Sequence, residues 1–96
     1  MPRISQTKKD KIAEQILHYL YTIAPEPAFT VLIAKEIARD EEFTKAMLKT
    51  LEEKNLVTVI NKNAQGQEYL KRLRWRLSSE VYEVYAKQQR SHSSFN

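Results

Sequence analysis

The chain has 96 residues, a formal net charge of +4 and no cysteine. This length fits a single domain with one core, and the lack of cysteine excludes disulfides, thiolate metal sites and a cysteine nucleophile. The N-terminal residues lack the apolar segment of a signal peptide, and the apolar stretches fall far short of the about 20 residues that span a bilayer, so we expect a cytoplasmic protein without membrane contact.

The first helix is predicted over residues 8–23, after a flexible lead at residues 1–6. Its apolar residues recur at helical spacing, and Thr7 is the candidate N-cap. The helix stops before Pro25, because proline disfavours helical geometry in the residue that precedes it. A short extended link follows at Ala28-Phe29.

Two shorter helices come next. Thr30 is the candidate cap of a helix over residues 31–39. Asp40 is the candidate cap of a third helix, since the two glutamates that follow it suit the positive end of the helix dipole. This third helix ends near Asn55. It carries one apolar stripe, formed by Phe43, Met47, Leu48 and Leu51.

The period of the sequence changes after residue 55. β-Branched residues dominate residues 56–60, and within the strand-like run of residues 69–77 cationic and apolar side chains alternate from Arg72 to Leu77, which is the two-residue period of a strand. The chain's only glycine, Gly66, lies between these runs and predicts the tip of a hairpin. The apolar face of the second strand is formed by Leu73, Trp75 and Leu77.

A last helix is predicted after the hairpin, with Ser78 or Ser79 as its cap. A flexible tail at residues 90–96 follows it, so the folded domain is expected to cover residues 7–89. The apolar side of this helix is formed by Val81, Val84 and Tyr85.

This order of elements resembles the winged helix-turn-helix superfamily of DNA-binding proteins, in particular MarR-like and ArsR-like regulators. The resemblance is carried by a short helix from Ile33, a tight turn, and a recognition helix that ends in the Leu-x-x-Leu-Glu-x-x-x-Leu-Val pattern of Leu48 to Val57. It implies an α+β fold of three helices, a two-stranded wing hairpin and a C-terminal helix. It also implies a DNA-binding transcriptional regulator.

Basic residues are concentrated in residues 1–11 and 61–77, and such clustering favours a polyanionic partner such as double-stranded DNA over a merely basic, solvated surface. In that case the third helix enters the major groove, and the wing contacts the backbone or the minor groove. The candidate DNA contacts are Thr30 at the second helix, Thr44, Lys45 and Lys49 on the third, Lys62, Asn63 and Gln65 in the wing, and Arg72, Arg74 and Arg76 on the strand that follows.

Four tyrosines give the first and last helices more aromatic surface than one small core needs. We expect these helices to form a homodimer, which would place two recognition helices about 34 Å apart, one turn of DNA. The candidate interface residues are Tyr19, Tyr21, Tyr82 and Tyr85.

Two departures from the superfamily pattern favour a second hypothesis. The turn between the second and third helices has no glycine, and Asp40, Glu41 and Glu42 open the helix that would approach phosphates. Carboxylates near phosphates are unfavourable. The alternative is a winged helix that binds a protein partner within a transcription or nucleoprotein assembly.

Catalysis and metal binding find no support in the sequence. The two histidines, His18 and His92, lie on a polar helix face and in the tail, and adjacent glutamates on a helix point in different directions. A chain with one glycine has no glycine-rich phosphate loop. We therefore expect a protein that is not an enzyme and that holds no metal and no cofactor.

Overall fold

The computed structural model describes residues 5–60 and 73–93. The elements follow the predicted order of helices and strands, with one additional strand. They are α1 (Gln6–Ile23), β1 (Ala28–Phe29), α2 (Thr30–Glu36), α3 (Glu41–Glu53), β2 (Val57–Ile60), β3 (Arg74–Leu77) and α4 (Ser79–Ser93). Across these ranges, none of the helices combines the length and apolar character needed to cross a membrane.

α1 begins earlier than predicted because Ser5, and not Thr7, is its cap. The Ser5 hydroxyl accepts a hydrogen bond from the backbone N–H of Lys8 at 3.2 Å. This contact satisfies one of the free donors at the start of the helix. The core face of α1 is formed by Ile12, Ile16 and Leu20.

α2 ends at Glu36, three residues before its predicted end. Ala38 then adopts a φ of 57°, in the left-handed region that favours glycine. The N–H of Arg39 donates to the carbonyl of Ala34 at 3.0 Å and closes the turn. The chain therefore makes the tight helix–helix turn with alanine in a glycine-type conformation.

α3 begins and ends as predicted. The Asp40 carboxylate accepts a hydrogen bond from the N–H of Phe43 at 3.0 Å, so Asp40 is confirmed as the cap. Asn55 follows the helix with a φ of 62°, a conformation that asparagine tolerates better than most residues.

The three strands form one antiparallel sheet in the order β1-β3-β2. Trp75 of the central strand lies opposite Ala28 on one side and Val59 on the other. Trp75 and Leu77 are 1% and 6% exposed, whereas Arg76 between them is exposed, which confirms the predicted alternation. The segment Ala28–Phe29, which was predicted only as an extended link, is thus a strand of the sheet, β1.

α4 is capped by Ser78, whose hydroxyl accepts a hydrogen bond from the N–H of Val81 at 3.3 Å. The helix continues to Ser93, past the residue at which the tail was expected to begin. Val84 is 55% exposed, so its predicted place on the apolar side is wrong. The face that contacts the domain is turned toward Val81 and Tyr85, which are half-buried.

Candidate nucleic-acid interface

α3 presents one face to the core and the opposite face to solvent. Its buried residues are Thr44, Leu48 and Leu51. Because the helix has about 3.6 residues per turn, the positions farthest from this stripe lie on the opposite side of the helix. These exposed positions form the outer line of α3: Glu42, Ala46, Lys49 and Glu53.

The structure contradicts the prediction that Thr44 enters the major groove. The side chain is 0% exposed, and its hydroxyl donates to the backbone carbonyl of Asp40 at 2.8 Å. The buried stripe is rotated toward Thr44, and Phe43 and Met47 are only half-buried. Thr44 lies one turn before Leu48, so a stripe centred on Leu48 is the sequence signal that identifies it.

The structure also contradicts the prediction that Thr30 caps α2 and contacts phosphate. The cap position is Phe29, and Thr30 is the first helical residue, 6% exposed. Its hydroxyl accepts a hydrogen bond from the indole Nε1–H of Trp75 at 2.8 Å. Its backbone N–H donates to the carbonyl of Leu73 at 3.3 Å. Thr30 therefore joins α2 to β3 inside the domain.

The two predicted lysines of α3 lie near its exposed side. Lys49 belongs to the outer line, and Lys45 lies half-buried on its flank. Both follow the acidic first turn, where Glu41 and Glu42 are exposed. The outer surface of α3 is thus acidic at its start and cationic in its middle.

Arg39 is a cation beside this acidic turn that the sequence analysis does not single out. Its guanidinium carbon lies 5.9 Å from the centre of the Phe43 ring, a cation–π distance. An aromatic residue four positions after an arginine is the sequence signal for this contact. The contact holds the guanidinium against the half-buried Phe43 ring in the first turn of α3.

The three arginines predicted on the outward face of β3 are not equivalent. Arg74 is half-buried on the central strand, opposite Phe29 of β1 and Ile60 of β2. Arg76 is exposed, and it lines a shallow pocket of about 220 Å³ together with Tyr82 and Glu83 of α4. The remaining predicted contacts lie outside the described residues: Lys62, Asn63, Gln65 and Arg72.

Three of the four tyrosines predicted to form a dimer interface contact one another within one chain. The Tyr21 ring of α1 lies 5.3 Å from the Tyr85 ring and 5.6 Å from the Tyr82 ring, both on α4. Tyr19 is half-buried on α1. Much of this aromatic surface therefore holds α4 against α1 and is not free for a partner.

The Tyr85 hydroxyl has a pKa raised above its ordinary value of 10.0. Partial burial against the domain is the larger cause, and the negative charge of Glu14 on α1 adds to it. Both effects disfavour the phenolate. Within the described part of the chain, no three histidine, aspartate or glutamate side chains are grouped closely enough to share a metal ion.

Solved structures of transcription regulators have this fold. The match to Staphylococcus aureus MepR in complex with DNA covers 93% of this chain and 70% of the MepR chain, at 20% sequence identity and a TM-score of 0.70. In a second structure of MepR, a transcription regulator of the Staphylococcus aureus multidrug efflux pump MepA, the match covers 88% of this chain and 64% of the MepR chain. The sequence identity is 20% and the TM-score is 0.62. The match to a mutant of Lactococcus lactis ZitR covers 99% of this chain and 60% of the ZitR chain, at 17% sequence identity and a TM-score of 0.59.

These likenesses confirm the predicted α+β winged helix-turn-helix fold. The chain spans 51% of the length of a MepR mutant chain and 70% of the length of the MepR chain bound to DNA. No protein-family model matches the sequence, and no curated protein matches it.

Proposed function

We propose that this chain is a cytoplasmic DNA-binding transcriptional regulator whose α3 enters the major groove of double-stranded DNA. The observation that carries the proposal is the exposed outer line of α3, on the second helix of a helix-turn-helix. That is the position from which recognition helices contact base edges. The shared fold with a MepR–DNA complex supports the same assignment.

The proposed contacts divide by position. Lys49 contacts base edges or the groove wall from the outer line, and Lys45 contacts phosphate from the flank. Arg76 is exposed and contacts the DNA backbone, while half-buried Arg74 orders β3, the strand that follows the proposed wing. The wing contacts belong to the proposal as well: Lys62, Asn63, Gln65 and Arg72.

The experiment is a salt titration of duplex binding, followed by fluorescence anisotropy. Each phosphate contact that is neutralised releases counterions, so binding weakens steeply as salt rises. Lys45→Ala should lower the affinity for every duplex and flatten the log–log salt slope by about one unit.

Lys87→Ala is the matched control for this titration, because Lys87 is an exposed lysine on α4 and its removal changes the net charge equally. We expect its slope to equal that of the wild type. Equal slopes for Lys45→Ala and Lys87→Ala would contradict the placement of α3 in the groove.

We also propose that the protein acts as a homodimer. The support is exposed apolar surface on α4: Val84 is 55% exposed, and Tyr82, whose ring packs on Tyr21, is still 41% exposed. A two-fold symmetric pair presents two recognition helices to successive turns of the same DNA face. Tyr21 and Tyr85 would contribute indirectly, by fixing α4 on α1.

A protein partner is the second candidate function. Val31 and Leu32 at the start of α2 are 54% and 49% exposed, and the first turn of α3 carries two exposed carboxylates. Adjacent exposed apolar residues are a feature of protein-binding surfaces. The salt titration separates the two candidates, because a protein-binding domain would show no duplex binding even at low salt.

A further inference from the structure

The acidic residues that open α3 occupy different positions around the helix. The Asp40 carboxylate is engaged as the N-cap, 3.0 Å from the N–H of Phe43. Glu41 lies on the side of the helix that carries Lys45, one turn further on. Glu42 lies on the outer line, in register with Ala46 and Lys49. Of these carboxylates, that of Glu42 is directed most squarely away from the core.

We infer that Glu42 determines base specificity by accepting a hydrogen bond from the N4 amino group of a cytosine in the major groove. This inference rests on the proposed DNA-binding function. A carboxylate can only accept hydrogen bonds, and cytosine N4 is a donor in the major groove. Guanine presents two acceptors there and thymine presents one, so both would repel the Glu42 carboxylate.

Adenine is the closest competitor of cytosine at this position. Its N6 amino group is a donor, but the neighbouring N7 is an acceptor that faces the same part of the groove. A carboxylate has no proton to give to N7, so one of its two oxygens would meet a lone pair. A glutamine side chain can satisfy both groups of adenine, because its amide has a donor and an acceptor.

The other residues of the outer line predict further bases of the DNA site. Ala46 lies four residues after Glu42, which is about 6 Å along the helix axis, and Lys49 lies about 4.5 Å further. The alanine methyl suits the methyl group of thymine, and the lysine suits O6 and N7 of guanine. With base pairs about 3.4 Å apart, the groove should present cytosine, then a thymine methyl about two base pairs on, then guanine.

The charge of Glu42 also weakens binding to DNA in general. A carboxylate in the groove is repelled by the phosphates of any sequence, and only a donor on the facing base offsets this. Glu42 therefore separates cognate from non-cognate DNA by penalising the non-cognate complex, which is a recognised route to specificity.

The test compares the duplexes that the wild-type protein and the Glu42→Gln variant select from a randomised pool. We expect one position of the selected sequence to change from cytosine to adenine. At the wild-type site, replacing that cytosine by 2-pyrimidinone, which lacks the 4-amino group, should weaken wild-type binding by about 5- to 150-fold. The same duplex should bind Glu42→Gln with a much smaller loss.

Glu41→Gln is the matched control, since it removes the same charge from the neighbouring position. It should tighten binding to all duplexes alike and leave the selected sequence unchanged. If Glu42→Gln and the wild type select the same bases at every position, the inference is overturned while the proposed function stands. If the wild-type protein binds no duplex at low salt, the proposed function fails and the inference fails with it.

Discussion

Thr30 shows how a single hydroxyl can hold two parts of this domain together. It accepts the indole hydrogen bond of Trp75 at 2.8 Å, and Trp75 is 1% exposed at the centre of the sheet. The same residue starts α2, the first helix of the helix-turn-helix. The hydroxyl thus fixes α2 on β3, the central strand of the sheet.

Thr30→Val should destabilise the domain by about 1–3 kcal/mol, because the shape is nearly kept while the buried Trp75 N–H loses its acceptor. Urea denaturation monitored by tryptophan fluorescence measures the change in unfolding free energy. Thr50→Val is the matched control, since Thr50 is exposed and its hydroxyl bonds only to the carbonyl of Ala46 in its own helix. The control should change stability by about 0.5 kcal/mol or less. Equal losses in both variants would argue against the proposed role of the indole hydrogen bond.

Two of the three helix caps that pattern analysis could reach were predicted correctly, whereas α1 is capped by Ser5 and not by Thr7. Asp40 and Ser78 cap helices through N–H groups three residues away, a distance in sequence that pattern analysis covers. Thr30 and Thr44 have the same side-chain chemistry but are buried. The partner of Thr30 is Trp75, which lies 45 residues later in the sequence, so local sequence does not show that pairing.

At the scale of elements, the contact between α1 and α4 depends on aromatic rings. Tyr21 lies close to both Tyr82 and Tyr85. The negative charge of Glu14 on α1 also contributes to the raised pKa of Tyr85. α4 therefore has a fixed place on α1, although its other side carries exposed residues such as Val84.

The raised pKa of Tyr85 predicts a loss of stability in alkaline solution. In the unfolded chain its hydroxyl ionises near pH 10, whereas in the folded chain burial and Glu14 hold it protonated to higher pH. Its contribution is therefore fully present below pH 10 and is lost as pH rises through the raised pKa. Tyr85→Phe should show a smaller fall in unfolding free energy than the wild type between pH 9 and 11, about one unit on either side of the unfolded value.

Tyr19→Phe is the control for this measurement, because Tyr19 is a half-buried tyrosine on α1 outside the ring contacts of Tyr21. Its alkaline profile should follow that of the wild type. A Tyr85→Phe profile that also coincides with the wild type would show that the raised pKa contributes nothing to stability.

The strands were predictable to different degrees. β2 was predictable from its β-branched residues, and β3 from the alternation of apolar and cationic side chains. β1 is only two residues long, too short to show a period, and it exists because Ala28 and Phe29 pair with β3. The exposed face of α3 was predicted with a small error in its rotation about the helix axis. Phe43 and Met47 are more apolar than Thr44, so they were expected at the centre of the buried face, but Thr44 is the more deeply buried residue.

At the scale of the whole molecule, the proposed complex with DNA would take one recognition helix from a single chain and two from a two-fold pair. The proposed dimer uses the exposed side of α4, so the wild-type protein should have twice the chain mass of 11.3 kDa in light scattering at micromolar concentration. Its affinity should be highest for duplexes whose half-sites are about 10 base pairs apart, one helical turn, and should fall when the spacing is about 15 base pairs.

Val84→Glu should convert the dimer to a monomer, because it places a carboxylate in an interface that would bury an apolar side chain. Val31→Glu is the matched control: Val31 is 54% exposed on α2, against 55% for Val84, and α2 lies outside the proposed interface. It should remain a dimer in light scattering, whereas Val84→Glu should also lose the preference for half-sites one turn apart. A wild-type protein that is monomeric at these concentrations, or a Val84→Glu variant that stays dimeric, would contradict pairing through this side of α4.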